Sequence, residues 1–581
     1  MSQMANLSKE TQERIERWFL GIADEELYQE LKALSPEELN ERFYRYLEFG
    51  TGGMRGELGV GTNRMNRYTV LRATEGLARY IEKVGPEAKN RGVVLSHDSR
   101  HKSRPFAEES ALLLNRHGVK AYLFDDLRPT PELSFAVREL KAVAGIMITA
   151  SHNPPEYNGY KVYWEDGGQI PPMIADALMK EIDRVEDELS LKPLSKEEAI
   201  KEGLLVSIGK ELDERYYARL QELVLQPDMI RRHGEALTIV YTPLHGTGNR
   251  PVREILSRVG FSRLHVVKEQ ELPDPDFHSV KSPNPEERAA FTLAIEEAKR
   301  LGADLILGTD PDADRVGAVV QDRSGEYVVL TGNQTGALLL HYLLSERQKK
   351  GDLPKNGVVI KTIVTSELGR AIASSYGIET LDVLTGFKFI GEKIKEFEET
   401  GEKKFLFGYE ESYGYLVGDF VRDKDAVQAC LLIAEMALSY KRQGKTLYDA
   451  LLDLYKKYGT YREGLVSITL KGLEGSERIK KIMSSLREHP VEEAAGLSVQ
   501  IISDYKKGIT YHLKEGREEA TGLPLSDVLR YTLEGGSWFA VRPSGTEPKI
   551  KIYFGTVADD LTTAENLLEA LKTDVMARIQ V

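Results

Sequence analysis

The chain has 581 residues, with 41% apolar and 29% charged side chains, a single cysteine and a net charge of −13. At roughly 150 residues per domain this predicts about four domains of ordinary globular material. One cysteine, Cys430, excludes a disulfide framework and a cysteine-built zinc site, and the acidic balance argues against a general nucleic-acid binder.

Ser8 is positioned to cap a charged amphipathic helix running through Trp18 and Phe19, not a basic-then-apolar leader. No run approaches ~18 apolar residues, so no membrane span is expected and a reducing, cytoplasmic setting is the default. Next come short apolar runs that end in polar loops. Val93–Leu95 leads to Ser96-His97-Asp98-Ser99-Arg100, and Ala142–Ala150 ends at Ser151. Leu237–Tyr241 leads to Leu244-His245-Gly246-Thr247-Gly248, and Ala303–Leu307 leads to Gly308-Thr309-Asp310. Helical patterns separate them, such as Glu286–Leu301 with Asn284 as N-cap and Pro285 in the first turn. Strand, loop, helix, strand is the order of α/β units with a parallel or mixed sheet, whose sites lie at the carboxyl ends of strands. Shifts in composition divide the chain into 1–204, 205–330, 331–455 and 456–581. The basic run Tyr455–Gly459 reads as a hinge into a final α+β unit.

Four loops carry chemistry. In Thr149-Ala150-Ser151-His152-Asn153-Pro154 a serine closes a strand, and His152 and Lys161 are suited to handling a proton or a phosphate charge. The pair Ser-His by itself is more often an Asn-Pro turn with a surface serine, and only the whole string carries the signal. In Asp310-Pro311-Asp312-Ala313-Asp314-Arg315 alternating aspartates turn three hard oxygen ligands onto one point, which suits Mg²⁺ or Ca²⁺. An EF-hand fails, because Arg315 and Gln321 stand where glycine and glutamate are needed. Gly408-Tyr409-Glu410-Glu411-Ser412-Tyr413-Gly414 offers a carboxylate and a hydroxyl two residues apart, a weak sugar-binding signal alone. Val541-Arg542-Pro543-Ser544-Gly545-Thr546 places a guanidinium fork beside neutral donors. A fifth loop, Gly246-Thr247-Gly248-Asn249-Arg250-Pro251, lacks the third glycine of a dinucleotide fingerprint and reads as a tight strand-to-helix turn.

In this order and approximate spacing the four loops resemble the phosphoserine, metal, sugar and phosphate loops of the α-D-phosphohexomutases, over nearly the whole chain. The resemblance is greatest to the bacterial branch acting on glucose phosphates. It implies three related α/β domains with mixed sheets and a C-terminal α+β domain around a central cleft. It further implies exchange of glucose 1-phosphate and glucose 6-phosphate through a phosphoserine and a glucose 1,6-bisphosphate intermediate. Mannose and pentose phosphates are the alternative substrates. The expected partner is a small sugar phosphate, with no nucleic acid and no membrane.

By position, Ser151 would carry the phosphoryl group. Asp310, Asp312 and Asp314 would hold Mg²⁺ with an oxygen of Ser151. Glu410 and Ser412 would bind sugar hydroxyls, and Arg542, Ser544, Gly545 and Thr546 would grip the unreacting phosphate. Arg55 in Thr51-Gly52-Gly53-Met54-Arg55 would stand near the phosphoserine, with Arg315 assisting transfer. Lys424 is the favoured general acid/base and Lys361 the second choice, and a lysine suits that work if burial or neighbouring cations lower its pKa. Together Arg55, Lys161, Arg315, Lys361, Lys424, Arg542 and Lys549 would make a positive cavity inside a negative protein. Two rival readings are a hydrolase using the same serine and metal, and a catalytically silent sugar-phosphate-binding regulator.

Overall fold

The computed structural model of the chain describes residues 7–50, 52–470, 472–544 and 549–579. Helix Lys9–Gly21 begins where the sequence places its cap, with Ser8 Oγ accepting the Thr11 amide at 3.2 Å. Its apolar stripe buries Ile15 and Trp18. The Trp18 indole meets Phe43 and Tyr68 edge-on and donates to the buried carboxylate of Glu188 at 2.8 Å, which fastens the amino-terminal helices to the first domain.

The first sheet runs in the order Gly53–Glu57, Tyr157–Trp164, Ala144–Ile148, Val93–His97, Ala121–Phe124, Leu205–Ile208. Tyr157–Trp164 is antiparallel to its neighbours on both sides, whereas Ala144–Ile148, Val93–His97, Ala121–Phe124 and Leu205–Ile208 are parallel. Parallel strands buried on both faces read as near-continuous apolar runs, which is why Val93–Leu95 and Ala144–Ile148 stand out in the sequence. The boundary after residue 204 needs correction: Leu205–Ile208 pairs with Ala121–Phe124 and completes the first sheet.

A second mixed sheet orders Tyr327–Val329, Val316–Gln321, Leu305–Thr309, Ile239–Thr242 and Leu264–Val266. A third orders Glu379–Val383, Gly357–Thr362, Lys404–Glu410 and Gly414–Leu416. The helix expected over 286–301 is shorter. Asn284 Oδ1 accepts the Glu286 amide in a local turn, a 3₁₀ turn follows at Arg288–Phe291, and the α-helix spans Thr292–Leu301. Such side-chain turns compete with helix continuation. One large core joins the second and third sheets around helix Ala426–Lys441, whose residues from Ala426 to Leu438 are all buried.

The fourth sheet is antiparallel throughout its described pairings and contains Thr460–Thr469, Lys549–Ala558, Trp538–Pro543, Leu529–Leu533 and Leu497–Asp504, with helices Gly472–Glu488 and Leu561–Ile579 alongside. The basic run expected to be a hinge is helical to Tyr458, and the turn into this domain falls on Gly459, whose φ of 99° favours glycine. The fourth domain rests on the third through Ile363, Val364 and Leu384 against Tyr505, Val528 and Trp538. Arg530 is paired across that seam to Glu367 at 3.0 Å.

Candidate active site

Ser151 follows strand Ala144–Ile148 and adopts a left-handed φ of 54°, which turns its side chain out of the strand direction while it stays 2% exposed. The conformation is strained for a residue with a Cβ, so its surroundings must hold it. They do so through residues that sequence reasoning missed. Thr149 Oγ1 accepts the Ser151 amide at 2.8 Å and donates to Asp98 Oδ2 at 2.6 Å. The buried Arg100 guanidinium donates to the carbonyls of Ser151 (2.6 Å), Asn153, Pro154 (2.7 Å) and Tyr157 (3.1 Å) and is paired with Asp98 at 3.2 Å. The only sequence signal for this brace is the polar loop Ser96–Arg100 at a neighbouring strand end. Arg55 lies beside it because Gly53–Glu57 pairs with Tyr157–Trp164, Arg55 opposite Gly159, and its guanidinium donates to Asn153 Oδ1 at 2.8 Å.

The second domain presents its aspartates to this serine. Ser151 Oγ donates to Asp310 Oδ2 at 2.6 Å. One carboxylate oxygen from each of Asp310, Asp312 and Asp314 lies within 4.8 Å of the others, and all three residues are buried. A left-handed Ala313 (φ 52°) makes the turn that brings them together. Lys161 Nζ donates to Asp312 Oδ2 at 2.8 Å and lies 3.6 Å from Asp314, while Lys424 Nζ is 3.2 Å from Asp314 Oδ2 and 3.2 Å from Asp423 Oδ1. Arg315 reaches Glu286 at 2.7 Å. The fifth loop supports this turn: a Cβ on Gly246 would lie 2.5 Å from Pro311 Cα, and the Thr247 amide donates to the Pro311 carbonyl at 2.8 Å. Its glycines make room for the aspartate loop.

Charge is strongly arranged here. Burial and the charges of Asp312 and Asp314 push Asp310 well above the usual carboxylate range. Burial opposes ionisation of Asp312 as well, but Lys161 and the donors around it hold that carboxyl below its ordinary value. Asp312 Oδ1 and Asp314 Oδ1 are buried with no hydrogen-bond partner. Three buried carboxylates gathered at one point, two of them with an oxygen that lacks a partner, fit a hard divalent cation, which would supply the missing partner and cancel their repulsion. Burial, with the guanidinium groups of Arg315 and Arg55, pushes His152 well below the ordinary histidine range. The imidazole is therefore neutral, with Nδ1 3.3 Å from Ser151 Oγ.

The third domain contributes Glu410 at the end of strand Lys404–Glu410. Glu410 Oε1 accepts the Gly386 amide at 3.0 Å, and burial pushes the carboxyl up to about 7. Tyr413, left-handed at φ 65°, follows the half-buried Ser412, and its carbonyl accepts the Val316 amide at 3.1 Å, tying the sugar-type loop to the strand after the aspartates. Gly414 is needed for close approach: a Cβ there would sit 2.1 Å from Lys424 Cδ, on the path of the lysine stem. In the fourth domain the Arg542 charge, after burial itself, helps lower Lys388, to about 8, and Lys551. The Arg315 charge also bears on Lys551. Lys388 and Lys551 thus feel the Arg542 charge, though neither is singled out in the sequence. Gly545 and Thr546 lie outside the described residues, and Ser544 turns its amide to the Lys549 carbonyl at 2.7 Å.

Two expectations about lysines need correction. Lys361 does not join the cluster around Ser151. It is fully buried among the Thr362 and Thr365 carbonyls, Glu367 at 3.2 Å and Asp382 at 3.0 Å, next to the seam that Arg530 crosses. Lys424 does sit in the cluster, but its pKa is not lowered. Burial works against its charge, yet Asp314, Asp423 and Glu410 together hold it above the usual lysine value. Of the seven cations expected to gather, Arg55, Lys161, Arg315 and Lys424 do so around the serine and aspartates.

Comparison with known proteins covers the same ground. Residues 46–189, 214–325 and 331–458 match the models of the phosphoglucomutase/phosphomannomutase alpha/beta/alpha domains I, II and III, and 490–570 matches the C-terminal domain of that family. A phosphoglucomutase of Staphylococcus haemolyticus (strain JCSC1435) is 40% identical over 525 residues, 89% of this chain and 92% of that protein. One of Staphylococcus aureus (strain MRSA252) is 39% identical over 535 residues, 92% of this chain and 94% of that protein. Among solved structures, the open form of parafusin (a phosphoglucomutase) from Paramecium superposes with a TM-score of 0.67 at 18% identity, covering 92% of this chain and 95% of its own. A phosphoglucomutase/phosphomannomutase family protein from Burkholderia thailandensis gives 0.64 at 17%, covering 91% and 97%. Among the described residues no helix is long and apolar enough to cross a membrane.

Proposed function

We propose a phosphoserine mechanism for this chain, which belongs to the phosphoglucomutase/phosphomannomutase family of α-D-phosphohexomutases. The enzyme is a phosphoglucomutase, an isomerase that moves a phosphate between two positions of one sugar. The observation that carries the mechanism is the contact of Ser151 Oγ with Asp310 at the point where three buried aspartates converge.

Ser151, phosphorylated at rest, loses its phosphoryl group to the free hydroxyl of glucose 1-phosphate. The Oγ–P bond breaks as the sugar O–P bond forms, and glucose 1,6-bisphosphate results. This intermediate turns over in the cleft and returns its other phosphate to Ser151, leaving glucose 6-phosphate. Asp310, Asp312 and Asp314 would hold Mg²⁺, which when bound supplies electrostatic shielding of the transferring phosphoryl group. Arg55 and Arg315 add fixed positive charge on the serine side. Glu410 and Ser412 read the sugar hydroxyls, and Arg542, Ser544, Gly545 and Thr546 hold the phosphate that does not react. His152, neutral and 3.3 Å from Ser151 Oγ, serves the serine's proton. Lys424 serves the sugar hydroxyl. A cation held by Asp314 would weaken that carboxylate's support of the Lys424 charge and so favour the lysine as base, with Asp423 at 3.2 Å still beside it. We place the enzyme in the cytoplasm on its sparing use of cysteine.

Turnover of glucose, mannose and ribose 1-phosphates by the purified enzyme tests the substrate, with glucose expected to lead. Intact mass should show one phosphoryl group that Ser151→Ala lacks, with turnover abolished and the fold retained. Release of inorganic phosphate without glucose 6-phosphate would replace the mutase reading by a hydrolase.

A further inference from the structure

Thr130 opens helix Thr130–Glu139 of the first domain, yet its contacts run into the second. Its amide donates to the Asp312 carbonyl at 2.9 Å, and its hydroxyl donates to Asp312 Oδ2 at 2.8 Å. Lys161, also of the first domain, donates to the same Oδ2 at 2.8 Å. Thr130 and Asp312 are both fully buried, and the other oxygen, Asp312 Oδ1, has no hydrogen-bond partner. A carboxylate whose one oxygen is held by two donors cannot exchange its oxygens by rotation without losing both bonds. The remaining oxygen then points one way.

The hydroxyl is placed by a rigid platform. Thr130 lies between Pro129 and Pro131, which restrict the backbone on both sides of it. Arg128, two residues before Thr130, is pinned by Asp213 at 2.7 Å, and its carbonyl accepts from Ser96 Oγ at 3.1 Å. Without the Thr130 hydroxyl, Oδ2 would keep only Lys161, whose ammonium also lies 3.6 Å from Asp314 and is not confined to Asp312. From this geometry we infer that Thr130 is a positioning residue for the divalent cation: acting from the first domain, it fixes Asp312 Oδ2 and so aims Oδ1 at the metal. The inference rests on the reading of the aspartate triad as a metal site. It makes cation affinity a property of two domains, because the aspartate ligands come from one and the donor that orients Asp312 from the other.

The test is calorimetric titration of Mg²⁺ into the full-length enzyme, stripped with EDTA and with its phosphoryl content fixed by intact mass, for the wild type, Thr130→Val and Thr130→Ser. Removing an outer partner of a metal ligand weakens binding about 10–100-fold, the loss expected for Thr130→Val, whereas Thr130→Ser keeps the hydroxyl and should stay within about threefold. Metal-free melting temperatures should be alike, and saturating Mg²⁺ should return most of kcat to Thr130→Val. Equal Mg²⁺ affinity in wild type and Thr130→Val overturns the inference, as does an equal loss in Thr130→Ser. Wild-type enzyme that takes up no Mg²⁺ overturns the metal reading beneath it. If Thr130→Val does not fold, Thr130→Ala against Thr130→Ser decides by the same comparison.

Discussion

Replacing Arg100 by lysine removes the brace under the reactive serine while keeping a charge. The Arg100 fork reaches four carbonyls of the segment 151–157 from two nitrogens, with Asp98 behind it. A lysine ammonium is a single point with three donors and cannot span both ends of that segment, so about two of the four bonds are lost. Each carbonyl left without its partner costs roughly 1–3 kcal/mol, which gives roughly 2–6 kcal/mol of destabilisation for two. The loop also holds Ser151 at a left-handed φ that it does not favour, so its relaxation moves Oγ away from Asp310. A misplacement of about 1 Å at a reacting atom costs on the order of 10²-fold in rate. Thermal melting and a coupled assay for glucose 6-phosphate should therefore show Arg100→Lys less stable and about 100-fold slower in kcat/KM. Melting unchanged and kcat/KM within about twofold of wild type would refute the claim that Arg100 shapes the serine loop.

Chelation of divalent ions should stop turnover, and returning Mg²⁺ at about 100 times its Kd should restore it and raise stability by about 2.7 kcal/mol, readable as a shift in Tm. Glu410 gives a pH signature. Its folded pKa of about 7 lies above the unfolded 4.5, so the stability it contributes is full below about 4.5 and is lost as pH rises through 7. Accepting sugar hydroxyls needs the ionised form, so KM for glucose 1-phosphate should fall between pH 6 and 8, more steeply than in Glu410→Gln; parallel slopes would exclude Glu410 as the titrating group. Lys361→Met should cost about 1–3 kcal/mol by taking a fully buried partner from the half-buried Glu367 and Asp382, which keep Arg370, with KM little changed. A large rise in KM with stability intact would put Lys361 back among the substrate contacts.

Much of the site was legible because its chemistry is local. Alternating aspartates in one loop need only a turn at Ala313 to converge, and Ser151 and Glu410 both close or follow apolar strands, which marks them in the sequence. Glycines misled less than they concealed. Gly246 and Gly414 are turn residues by sequence, but they are required because Pro311 and Lys424 come from elsewhere in the chain and leave no space for a Cβ. Composition starts the second unit at residue 205, whereas Leu205–Ile208 closes the first sheet, because a short edge strand carries no mark of its partner.

The sequence by itself determined which groups can do chemistry: a strand-end serine, three hard ligands, a carboxylate–hydroxyl pair and a guanidinium fork, in one order. Tertiary structure decided which cations serve them. Lys361 and Lys424 look alike in the chain, yet one is sealed among Glu367 and Asp382 and the other stands between Asp314 and Asp423. Arg100 and Thr130 were invisible for the same reason. Their partners lie 51 and 182 residues away, and a hydrogen bond across such a distance follows from how sheets and domains dock, which no local pattern encodes.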